Sequence, residues 1–510
     1  MLDTITNLGL GFKTALSIGN LTFCALGVTL GTFVGVLPGI GALATISMCL
    51  PLTFYLDPIP AMIMLAGIFY GAQYGSSTAS ILLNLPGSAP AAITCLDGYP
   101  MSQQGRAGIA LFLTTIASFV GGTFSILLMI GFAPLLADVA ISFSSAEYFS
   151  IMVLALVAAS TLSNGSVLKG ITMVAVGLLL GLVGTDISSG SQRFTFGIID
   201  LSEGISLVAL AMGLFGIAEI LSNLSRGQHA TVDAKSITFR SMIPSREDWR
   251  RFWPASGRGS VIGAIIGILP GTGPTIATFI AYAAEKKIAR DPSIFGKGAI
   301  EGIAAPESAN NSSVQAAFIP TLTLGIPGDA IMAVMLGGML IHGITPGPQL
   351  INDNPVLFWG VVASFWIGNI LLLILNIPLI GLWVRLLTVP YHLLYPAMLF
   401  FIVIGVYSVH NSSFDVLMTL GFGLVGFAMM KFDFPAAPLL LGFVLGPLIE
   451  EHFRRALILA RGDITVFVDR PVSLGFLLAT LVVMLAAIGP VRKIFRRLFK
   501  RRSVTTNINE

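Results

Sequence analysis

Charge is scarce in this chain. Only 10% of its 510 residues are Asp, Glu, Lys or Arg, against about 25% in soluble domains. That scarcity excludes an ordinary soluble protein, and a hydrophobic content of 55% excludes a disordered one. Long polar stretches are missing too, so no soluble domain has the material to bury a core of its own. Three cysteines, Cys24, Cys49 and Cys95, lie in apolar or loop contexts without the spacing of a disulfide framework or metal site. The five histidines, His229, His342, His392, His410 and His452, are scattered with no ligand spacing. Nucleotide loops, nucleophile elbows and metalloprotease motifs are absent. The N-terminal stretch MLDTITNLGLGFKTALSIGN lacks a basic n-region and a clear cleavage site, so no removable signal peptide is read there.

What is present is apolar length. Segments fall at 21–56, 60–84, 107–135, 147–162, 167–185 and 204–222, then, after a polar loop, at 259–284, 300–323, 326–345, 355–382, 391–409, 413–430, 434–449 and 471–491. Charge-free stretches of about 20 residues match the thickness of a bilayer, and the expected fold is an all-α polytopic membrane protein. The basic residues cluster. Arg226, Lys235, Arg240, Arg246, Arg250, Arg251 and Arg258 share the central loop, and Arg492, Lys493, Arg496, Arg497, Lys500, Arg501 and Arg502 close the chain. Both clusters flank apolar spans, so the positive-inside rule places them in the cytoplasm, and no nucleic-acid partner is expected. Within the loop, Ser245-Arg246-Glu247-Asp248 resembles a capping box, with Trp249 and Trp253 behind it. That pattern predicts a short amphipathic helix on the cytoplasmic face; a disordered basic linker is the alternative.

Two apolar segments are interrupted in the same way. Leu37-Pro38-Gly39-Ile40-Gly41 recurs as Leu269-Pro270-Gly271-Thr272-Gly273, 232 positions later. Proline removes a donor and breaks the helix behind it, which in a membrane requires that the freed backbone groups find partners. Around the second break, Arg250, Arg251 and Arg258 precede the segment while Lys286, Lys287, Arg290 and Lys297 follow it. A re-entrant hairpin folding at Pro270-Gly271 keeps both groups in the cytoplasm. Downstream, Ser76-Ser77 precedes Leu85-Pro86-Gly87, and Ser312-Ser313 precedes Ile326-Pro327-Gly328. These two spacings differ by five residues, which reads as an old repeat with an indel. Five spanning candidates lie between the two hairpins, and an odd number inverts the second half. The expected architecture is two inverted structural repeats with Pro-Gly-broken re-entrant helical hairpins. The 326–345 segment is read either as a span or as a second re-entrant piece.

The chain thus divides into an N-terminal segment 1–20, membrane repeat 1 at 21–222, the basic loop 223–258, membrane repeat 2 at 259–449, and a last span with a basic tail at 450–510. Broken helices expose amides at half-helix N-termini, where the dipole favours an anion, and unwound carbonyls suit Na⁺. The candidate substrate residues are Gly39, Gly41, Ser76, Ser77, Thr78, Asn84 and Gly87 in the first half. Gly271, Gly273, Asn310, Asn311, Ser312, Ser313 and Gly328 are their counterparts in the second. The competing explanation is that small residues merely let helices pack closely. Basic residues inside spans are nearly absent, so dipoles and hydroxyls must hold any anion. Glu307, in an apolar stretch beside Asn310-Asn311, is read either as a cation-coupling carboxylate or as a helix cap. An ion channel and an intramembrane enzyme remain as alternatives to a transporter, the enzyme with no positive support.

The stretches GVLPGIG, YGSSTASILLNLPG, LDGYPMSQQGRAG, GILPGTG, FGKGAIEGIAAPESANNSS, IPTLTLGIPG, ITPGP and LGFVLGPLIEE resemble the TctA family, the large membrane subunits of tripartite tricarboxylate transporters. The chain departs from the family pattern at Gly75-Ser76, where a Gly-Gly is frequent, and at Glu307-Ser308, where Glu-Ala is frequent. The resemblance implies a multi-pass permease of the bacterial inner membrane that imports a citrate-like tricarboxylate or a related organic anion. It implies two partners, a small membrane subunit of the TctB type and a periplasmic solute-binding protein of the TctC type. It also implies coupling to Na⁺ or H⁺ with no other cofactor.

Overall fold

The computed structural model describes residues 2–37, 41–162, 166–186, 189–223, 239–387 and 391–487. Helices follow one another almost without interruption. Among the described residues, five helices are long and apolar enough to cross a membrane, and a further set of apolar helices is shorter. Outward-facing side chains such as Leu417, Leu424 and Val482 are 57–65% exposed. In water such faces would drive aggregation; in a bilayer they are the lipid contact. A two-residue β-ladder pairs Gly184–Thr185 with Gln192–Arg193, which the hydropathy pattern did not signal.

Each break falls where the sequence places it. Helix Ile18–Val36 ends at Leu37, and helix Ala42–Thr53 begins after Gly41. Helix Arg246–Ile268 ends at Leu269, and Gly273–Ile288 follows. Arg258 on the first of these latter arms binds Glu285 on the second through two hydrogen bonds of 2.6 and 2.7 Å. In one straight helix those residues would stand about 40 Å apart, so the chain doubles back at Pro270-Gly271. The carbonyls released at the turn are served locally: Thr272 Oγ1 donates to Ile266 O and Leu269 O at 2.5 and 2.8 Å.

The capping box forms, with Ser245 and Asp248 bonding each other's backbone. Its helix does not stop at the membrane surface, however. It runs unbroken through Pro254 to Ile268, so the separate surface helix expected from sequence is the first turns of the broken helix itself. Residues 224–238 and 488–510, which hold the rest of the basic loop and the basic tail, lie outside the described residues.

Glycine stripes set the distance between helices. A Cβ on Gly27, Gly31 or Gly35 would stand 2.1–2.5 Å from the carbonyl oxygens of Met64, Ile68 and Ala72 on helix Pro58–Leu83. A Cβ on Gly259, Gly263 or Gly267 would stand 2.2–2.4 Å from those of Ala305, Ala309 and Ser313 on helix Ile300–Ala316. The glycines are offset by 232 positions and their partners by 241. The second offset also relates Asn84 to Gly325, both in the left-handed region, and Gly87 to Gly328. The extra nine residues therefore sit between Gly273 and Ile300, part of them in the longer helix Gly273–Ile288, and not within the later helix. This register makes Ser313, which faces Gly267, the counterpart of Ala72, which faces Gly35, so the sequence pairing of Ser76-Ser77 with Ser312-Ser313 does not hold.

The halves interlock. Helix Ala107–Ile141 packs on Ile300–Ala316, and Pro355–Asn376 packs on Ile18–Val36 and Pro58–Leu83. The 326–345 segment resolves into a 12-residue helix, Ala330–Ile341. At 1.5 Å per residue it reaches about 18 Å, too short to cross alone.

Candidate functional site

Four chain breaks meet around one cavity of about 840 Å³. The first Leu-Pro-Gly break contributes Gly41, and the second contributes Gly271, Thr272 and Gly273. The later breaks add Pro86, Gly87 and Ser88 on one side and Asp329 on the other. At Gly271, with φ at +78°, a Cβ would meet Ala159 N at 2.5 Å, so the turn fits against helix Ser145–Leu162 only without a side chain. Gly271 N donates to Gly328 O at 2.8 Å, which ties the two breaks of the second half together.

Helices Ala42–Thr53 and Gly273–Ile288 both start at the cavity wall, and neither N-cap residue, Gly41 or Thr272, caps with its side chain. Their first amides point towards the cavity with the positive end of each dipole. The third N-terminus, at Ala330, is occupied: Asp329 accepts from Met332 N at 2.8 Å. Gln73, 2% exposed, also lines the cavity. Its Oε1 accepts from Ser88 Oγ at 3.3 Å, leaving its amide nitrogen as a donor towards the space. The wall carries three carboxylates, Glu219, Asp329 and Asp433, and no Lys, Arg or His among the described residues.

Of the residues picked from sequence, Gly41, Gly87, Gly271 and Gly273 line this cavity. Gly39 lies outside the described residues. Gly328 sits behind Asp329. Asn84 holds the left-handed C-cap of its helix at φ 57°. Ser76 and Ser77 turn their hydroxyls to Gln73 O and Tyr74 O at 2.8 and 2.9 Å, and Thr78 is buried on the same helix. Ser312 donates to Ser260 O at 2.6 Å, while Asn310, Asn311 and Ser313 are buried away from the cavity. Glu307 lies in the middle of Ile300–Ala316, not at its start, so the helix-cap reading falls. Thr94 Oγ1 donates to its Oε1 at 2.5 Å. Thr272 and Ser88 belong to the break motifs without being among the residues picked from sequence, and Glu219 carries no local signal at all. Glu219 stands 3.5 Å from where a Cβ of Gly41 would be, a contact across some 180 residues that no local pattern announces.

Fold and site together define a multi-pass membrane protein whose paired broken helices enclose a central cavity. The tripartite tricarboxylate transporter TctA family matches residues 21–441, and the chain belongs to that family. It is similar to an uncharacterized 52.8 kDa protein in the TAR-I ttuC' 3'region of Agrobacterium vitis, 51% identical over 96% of this chain and 97% of that protein. It is also 52% identical to an uncharacterized protein in the TAR-II ttuC' 3'region of the same organism, over 45% of this chain and 94% of that protein. No solved structure matches it.

Proposed function

We propose that this chain is the large permease subunit of a binding-protein-dependent tripartite secondary transporter in the bacterial inner membrane. It imports a tricarboxylate or related organic anion by symport with cations. The observation that carries this reading is the pair of half-helix N-termini, at Gly41 and Gly273, whose cap residues make no side-chain bond of their own, converging on one cavity. Amides and dipoles of that kind bind carboxylates without a basic side chain. Re-entrant hairpins in two inverted halves fit the chain reversal at Pro270-Gly271 and the paired glycine stripes, and alternating access would rock one half against the other. A channel is disfavoured by the same geometry, because the breaks close around a cavity.

Symport follows from charge. Each negative charge moved into a cell costs about 2.3 kcal/mol per 100 mV, so a trianion costs roughly 7 kcal/mol before any concentration gradient. At least three accompanying positive charges, as Na⁺ or as protons, offset that. The wall's own carboxylates, Glu219, Asp329 and Asp433, sharpen the need, since a carboxylate substrate joins them only if cations come too. Glu307 is the buried carboxylate we assign to the coupling cation. A TctB-type subunit and a TctC-type binding protein complete the assembly, and the binding protein delivers the substrate from the periplasm.

The test is uptake by membrane vesicles over a panel of carboxylates, with and without the matching binding protein. Uptake of one anion that needs both the binding protein and a cation gradient is expected. No uptake of any anion would favour the channel or enzyme instead.

A further inference from the structure

Helix Ile300–Ala316 buries more oxygen than it hydrogen-bonds. Glu307, Asn310, Asn311, Ser313 and Gln315 are each at most 1% exposed. Unpaired among them are Glu307 Oε2, both polar atoms of Asn310, Asn311 Oδ1, Ser313 Oγ and Gln315 Oε1, with Ser118 Oγ on the neighbouring helix Ala107–Ile141. Buried polar atoms are nearly always satisfied, so a concentration of orphans calls for a missing partner. All but one of these are oxygens, which marks the missing partner as something that attracts lone pairs.

Ser118 and Asn310 gather at one of these groups, the Glu307 carboxyl. Thr94 holds Oε1 of Glu307, and the side chains of Ser118 and Asn310 face the same carboxyl without completing a well-formed hydrogen bond. Glu307 forms no salt bridge among the described residues. A buried carboxylate with no cationic side chain is costly in any low-dielectric setting.

We propose that Glu307 Oε2, Asn310 Oδ1 and Ser118 Oγ form a Na⁺ site in the interlocked region between the halves. One carboxylate neutralises one monovalent cation, and the neutral oxygens replace part of its hydration. A divalent ion would be left with a net charge in a buried site. A proton on Glu307 would be shared with one neighbouring oxygen at a time, whereas a cation draws all three oxygens together. Thr94 links this site to the cavity. It follows the short turn Pro90–Ala92, whose Pro90 lines the cavity wall and whose Ala91 O accepts from Ser80 Oγ at 3.1 Å. A substrate that draws the Pro86–Pro90 segment inward therefore shifts a ligand of the Glu307 carboxyl. This last step rests on the symport reading above.

Direct binding of ²²Na⁺ to the purified chain in lipid nanodiscs tests the site without any transport. Saturable binding is expected in the unmodified chain. Ser118→Ala and Asn310→Ala should each weaken it at least tenfold, and Glu307→Gln should abolish it. Ser118→Ala removes a single hydroxyl and leaves the Glu307 carboxyl with its Thr94 partner, so it keeps the test readable if Glu307→Gln fails to fold. Absence of saturable Na⁺ binding, or unchanged affinity in both alanine variants, would overturn the site. Saturable binding alongside carboxylate uptake that ignores the Na⁺ gradient would support the site and contradict symport.

Discussion

At Asp97 one side chain joins parts of the chain some 200 positions apart. Its Oδ1 accepts from the backbone N–H of Gly296, Lys297, Gly298 and Ala299 at 2.8–3.1 Å, and its Oδ2 from the Tyr282 hydroxyl at 2.9 Å. The carboxylate thus neutralises a nest of amides just ahead of helix Ile300–Ala316. Asp97→Ala removes the acceptor that five donors share, the Ala299 N–H and the Tyr282 hydroxyl among them in buried bonds, and should prevent stable folding. Asp97→Asn keeps an oxygen for the amides but loses the charge, and charge-assisted bonds contribute about 1.5–3 kcal/mol. We expect a clear fall in melting temperature in detergent, and an unchanged melting temperature would contradict the clamp. The glycine stripes make a second prediction at this scale. Gly263→Val drives a side chain into Ala309 O, 2.3 Å from the Cβ position, whereas Gly9 has nothing within 4 Å. Gly263→Val should abolish folded protein in the membrane and Gly9→Val should leave its yield unchanged, read by size-exclusion profile.

Among elements, those written in local residue patterns were legible. Leu-Pro-Gly punctuates both broken helices at the positions expected, because proline's missing N–H acts on its own turn. Ser245 and Asp248 announce a helix start for the same reason. What local pattern misses is how far a helix continues and which elements meet. The helix from Arg246 continues past Pro254, well inside it, because the burial of Phe252, Ala255 and Ser256 against neighbours offsets the one bond lost. The serine pairs were matched by type, yet register is fixed by carbonyls facing glycines, which the sequence does not display. Glu307 was recognisable as unusual in an apolar run; its partner Thr94 lies 213 positions away. A labelling experiment addresses the hairpin. The native cysteines are all buried, so background is low. Cysteines introduced at residues 288–296, in the loop 224–238 and after Arg497 should all react only from the cytoplasmic side. Labelling of the 288–296 site from outside would contradict the re-entrant hairpin.

For the whole molecule, the central claim joins the cavity to the membrane potential. Two N-termini without side-chain caps invite an anion, and three wall carboxylates with no base resist it unless cations enter as well. Holding the substrate does not move it, since a site must also release what it binds. In the symport we propose, that energy comes from ions crossing with the substrate, at about 2.3 kcal/mol per charge per 100 mV. The most direct measurement is accumulation of the best carboxylate in vesicles bearing the complete transporter, with binding protein saturated and ATP present, before and after ionophores dissipate the cation gradient and potential. Symport predicts that accumulation collapses to equilibration across the membrane. Undiminished accumulation with no gradient and no potential would contradict it.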